Sequence, residues 1–71
     1  MDDLTSPAVY EIRLRGVLTT GVLTAFPRLS ARAEDKQTIL SGCLPDQAAL
    51  FGVLDQVESL GLELISLKRV N

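Results

Sequence analysis

The stretch from Asp46 to Leu62, DQAALFGVLDQVESLGL, constrains this chain more than any other. At 3.6 residues per turn, Leu50, Val53, Leu54, Val57 and Leu60 fall on one side of a helix as a continuous apolar stripe. Asp46 stands where an N-cap belongs, its carboxylate available to the unpaired amides of the first turn. Gly61 stands where a left-handed stop belongs. The rest of the chain must supply a surface for that stripe.

The flanking segments have the period of strands. From Val9 to Val17, Tyr10, Ile12 and Leu14 alternate with Glu11, Arg13 and Arg15, giving one dry face and one ionic face. Leu29 to Glu34 alternates again, with Leu29, Ala31 and Ala33 inward. After a polar Asp35-Lys36 turn, Gln37 to Leu44 is apolar on both faces, as expected of a central strand. Leu62 to Val70 is also two-faced, with Leu64 and Val70 set against Ile65 and Leu67.

Leu18 to Phe26, LTTGVLTAF, reads in two ways. Leu18, Val22 and Phe26 recur every four residues, which suits a short helix capped by Thr19 or Thr20 and ended at Pro27. Gly21 and the β-branched residues weaken that helix, and VLT-TG-VLT would also make a hairpin. A crossover between parallel strands favours the helix. The expected order is βαββαβ, an α+β ferredoxin-like fold with a four-stranded antiparallel sheet and two helices on one face. Residues 8–71 form this single domain, and residues 1–7 are a short flexible tail.

Three segments carry a resemblance: YEIRLRGVL, TILSGCLPDQAALFGVLDQV and LGLELISL. Together they resemble a family of small uncharacterised bacterial proteins, mainly actinobacterial, with a YEIR…TxLSG…DQAAL…LGLxLxS pattern. The resemblance implies no activity and carries over no catalytic residue. It favours a helical first crossover, although TTGVLTAFP departs from the pattern and makes that helix short or irregular.

Composition limits the chemistry. A domain of 71 residues has a small core and is marginal unless something staples it. The single cysteine, Cys43, cannot form an internal disulfide, and without histidine no metal-ligand set replaces it. Oligomerisation is the remaining common device. Seven basic and nine acidic residues leave a formal charge of −2, which gives no long-range attraction to nucleic acid. The acidic start MDDLTSP lacks the pattern of a signal peptide, and no apolar run is long enough for a membrane helix. A cytoplasmic protein is expected.

No residue pairing points to catalysis. Cys43 has no histidine partner and reads best as a small buried hydrophobe. The scattered glycines form no phosphate loop. No catalytic residue, cofactor or metal is therefore expected, and the chain is read as a non-enzyme. The first strand presents no outward aromatic for stacking bases, so no nucleic-acid role is expected either.

Two binding readings follow. Two helices shield only one side of a sheet whose third and last strands are apolar on both. A self-associating module, or one bound to a small protein partner, would then use the open sheet face or an edge strand. Its interface candidates are Ile39, Leu40, Phe51, Leu64 and Ile65. The alternative is a ligand-sensing module like the ACT domains, whose element order is similar. It would hold an anionic metabolite at a dimer interface near Arg13, Arg15 or Arg32.

Overall fold

Alternating and helical periods along the chain become six elements: β1 (Ala8–Arg15), α1 (Thr20–Leu23), β2 (Ser30–Glu34), β3 (Gln37–Leu44), α2 (Gln47–Ser59) and β4 (Leu64–Arg69). They belong to a computed structural model that describes residues 7–70. The expected tail therefore lies outside the described residues, apart from Pro7.

The strands assemble in the order β2-β3-β1-β4, every neighbouring pair antiparallel. This is the ferredoxin-like arrangement, with both helices against one face of the sheet. Ile12 and Leu14 of β1 and Leu40 and Leu44 of β3 point to that face. They close a core with Phe26, Leu50 and Val57. The α2 stripe divides there: Leu50 and Val57 are buried, Val53 and Leu54 are half-buried, and Leu60 is exposed.

The caps of α2 follow from its sequence. Asp46 Oδ1 accepts the Ala49 amide at 2.8 Å, and Gly61 takes φ +71° just beyond the C-cap Leu60. The first crossover is helical, as the four-residue period requires. Only Thr20–Leu23 is regular, however, with Thr19 Oγ1 capping Val22 at 3.3 Å. Past it the chain continues in turns, Ala25 donating to Val22, Phe26 to Leu23 and Leu29 to Phe26. The start of this crossover is pinned by Thr38, a buried hydroxyl that donates to the Gly16 carbonyl (2.7 Å) and accepts the Leu18 amide (3.1 Å).

Two features depart from simple alternation. Ala31 and Ala33 pair with Leu40 and Thr38 and so lie on the helix side, yet both are exposed because α1 is too short to reach over β2. In β4, Leu67 pairs with Ile12 and Leu64 with Leu14, leaving Ile65 as the extra residue of a bulge. Leu64 and Leu67 therefore share the helix-side face, which corrects the expected division of Leu64 from Leu67.

Candidate functional site

The open face of the sheet is polar, contrary to the expectation of an apolar surface there. Register sets Arg13, Ile39 and Arg32 side by side across β1, β3 and β2. Arg13 lies 3.4 Å from Glu34 and donates to Gln37 Oε1 at 2.9 Å, while Arg32 lies 3.7 Å from Glu11. Both ion pairs join β1 to β2, so they cross the intervening strand β3. Ile39 beneath them is 0% exposed. Exposed pairs of this kind contribute only about 0.2–1 kcal/mol each. Their larger effect is steric, because arginine stems can lie along an apolar neighbour while their heads stay in water.

The interface candidates consequently separate. Leu40 is sealed in the core and Ile39 under the charged layer, so neither presents side-chain surface. Phe51, Leu64 and Ile65 are 54%, 43% and 38% exposed. Leu67 at 40% joins them on β4 and Leu60 at 43% follows α2. Leu64 and Leu67, on the helix side of β4, are therefore only partly covered. Helical spacing puts Phe51 about 100° round α2 from the buried Leu50, on the side away from Ala49 and Val53.

The anion candidates Arg13, Arg15 and Arg32 all lie on the open face, but each is held by a carboxylate. Arg15 Nε donates to Glu63 Oε1 at 2.9 Å. Cys43 pairs in register with Val9 at the end of the same face and is exposed, not buried as its type led us to expect. Among the described residues no cluster of acidic, cysteine or histidine side chains could hold a metal ion, and no helix is long and apolar enough to cross a membrane.

Sequence reasoning missed one feature. A groove of about 560 Å³ opens between α2 and the turns that follow α1. Phe26, Arg28 and Leu29 form one wall, and Ala49, Gly52 and Val53 form the other. Its signal in the sequence was the departure at TTGVLTAFP: a curtailed first helix leaves the small residues of α2 without a full helix to pack on.

The chain matches a domain of unknown function, DUF8691, over residues 9–68, and belongs to that family. No curated protein and no solved structure matches it.

Proposed function

We propose that this DUF8691 domain is a non-catalytic interaction module that self-associates through β4. The observation that carries this reading is the character of that edge. All six residues of β4 are exposed, and three of them, Leu64, Ile65 and Leu67, are large apolar side chains. An uncovered edge offers a row of backbone donors and acceptors to another strand. A two-fold axis makes such pairing self-complementary, because the same surface serves both copies.

One antiparallel register satisfies both the apolar and the charged residues. Setting Ile65 against Ser66 of the second copy brings Leu64 against its Leu67 and Glu63 against its Lys68. The bulge makes this possible by placing Leu64 and Leu67 on one face. Apolar and opposite-charge pairs directly across a ladder are each favourable by about 0.2–1 kcal/mol. The sealed open face supports the edge over the sheet surface as the site of association.

The same reading places the domain in the cytoplasm, without nucleic-acid or membrane partners. It assigns the chain to the actinobacterial proteins that share the YEIR, TxLSG, DQAAL and LGLxLxS segments, which lie on β1, on β3, at the start of α2, and from the end of α2 into β4.

Analytical ultracentrifugation at tens of micromolar (roughly where a useful dimer persists) tests the proposal. A dimer is expected for the native chain and a monomer for Ile65→Lys, with unchanged circular dichroism. A native chain that sediments as a monomer overturns it.

A further inference from the structure

We propose that the groove between α2 and the α1–β2 connection is a binding site for a small organic anion with an apolar body, held by Arg28 at its rim. The site is independent of the β4 edge, since no residue of β4 lines it.

Size and lining come first. At about 560 Å³ the groove lies in the range of small-molecule sites, and its walls are chiefly apolar with a few polar groups at the margin. Phe26, 3% exposed, closes its back. A packing gap in so small a domain would be expected to be filled by side chains. Here the α2 wall is instead built from Ala48, Ala49 and Gly52, and a Cβ added at Gly52 would meet nothing within 4 Å.

The opposite wall is fixed in place. A Cβ at Gly42 would come within 2.8 Å of the Arg28 carbonyl and 3.0 Å of the Leu29 side chain, so the backbone at Arg28 lies directly on β3. The Leu29 amide donates to Phe26 at 3.1 Å and closes the turn that carries Arg28. A pre-formed wall lowers the ordering cost of binding.

Charge then selects the ligand class. Arg13, Arg15 and Arg32 are each held by a carboxylate on the open face. Arg28 borders the groove, is exposed, and has no carboxylate within ion-pair distance among the described residues. A guanidinium with free donors fits a carboxylate in a bidentate mode. Asp46 also borders the groove, but its Oδ1 is engaged by the Ala49 amide and its charge is opposed by the positive end of α2. Gln56 adds an uncharged donor and acceptor along the same side.

The test uses amide chemical shifts of the isotope-labelled full chain with isovalerate, octanoate and phenylacetate, at about 10 mM, where even millimolar binding approaches saturation. Saturable shifts confined to residues 25–29 and 46–56 are expected for at least one acid. Its neutral amide should bind about tenfold more weakly or worse, as should the acid to Arg28→Gln. Gly52→Leu should fill the groove and abolish the shifts while retaining a dispersed spectrum and the native sedimentation behaviour. The proposal is overturned if no acid shifts the groove, if acid and amide bind alike, or if groove resonances move with protein concentration alone, which would make a second copy the occupant.

Discussion

The two edges of the sheet, β2 and β4, are exposed along their whole length and solve the edge problem differently. β2 is the short SARAE, with alanines on the helix side and Arg32 and Glu34 tied across β3 to Glu11 and Arg13 on the other. Small side chains and charges give an approaching strand little apolar surface, which is a common way to blunt an edge. β4, LISLKR, has leucines at both ends of its apolar half, an isoleucine in a bulge, and charge only toward its C-terminal end. Exposure alone does not mark an interface; the difference lies in what is exposed.

The β2 side is also anchored from above, and the largest expected effect breaks that anchor. Gly42→Ala would drive a Cβ into the Arg28 carbonyl at 2.8 Å, a backbone atom that cannot turn aside. Overpacking of this kind costs about 1–3 kcal/mol, read as a lower urea midpoint with unchanged slope. Because β4 lies beyond β1 on the far side of the sheet, the dimer constant compared under folding conditions should be unaffected. A loss of dimer equal to the loss of stability would mean that the two edges are not separate devices.

A smaller effect of opposite sign lies in the turn that makes β2 an edge at all. Asp35 and Lys36 both adopt positive φ, +52° and +61°, the signature of the two-residue turn that matches strand twist. Aspartate is among the few non-glycine residues that tolerate that conformation, but a lysine there is strained by roughly 1 kcal/mol. Lys36→Gly should therefore raise stability by about 0.5–1 kcal/mol in urea denaturation, part of the relief being offset by glycine's greater unfolded-state freedom. No gain, or a loss, would show that the Lys36 side chain supports the hairpin in some other way.

How much of this was legible before the structure depends on whether the determinant is local. Asp46 and Gly61 announced both ends of α2 because a cap is a contact between residues a few positions apart. The alternation of β1 gave its two faces correctly for the same reason. The bulge at Ile65 could not be read, since it exists only in the pairing of β4 with β1 and reverses the parity that alternation assumes. Nor could the covering of Ile39, which depends on arginines from two strands that meet only in the folded sheet. The groove was half legible: a weak first helix was evident at Gly21, but not that the space it vacates would stay open.

The finest distinction asks what protects the open face on the β2 side, charge or bulk. Arg32 is about half exposed and 3.7 Å from Glu11, so in water its Coulombic contribution is within about 0.2–1 kcal/mol and falls with salt. Its aliphatic stem stands beside Ile39 in register, and Ile39 is fully buried although no helix covers that face. If the stem is what excludes water, Arg32→Met keeps the cover and should change stability by no more than a few tenths of a kcal/mol. Arg32→Ala, which removes charge and cover together, should cost about 1 kcal/mol by exposing part of a buried isoleucine. Equal losses for the two variants, both disappearing in high salt, would assign the protection of β3 to the ion pair, and the guarded edge would then be guarded electrostatically.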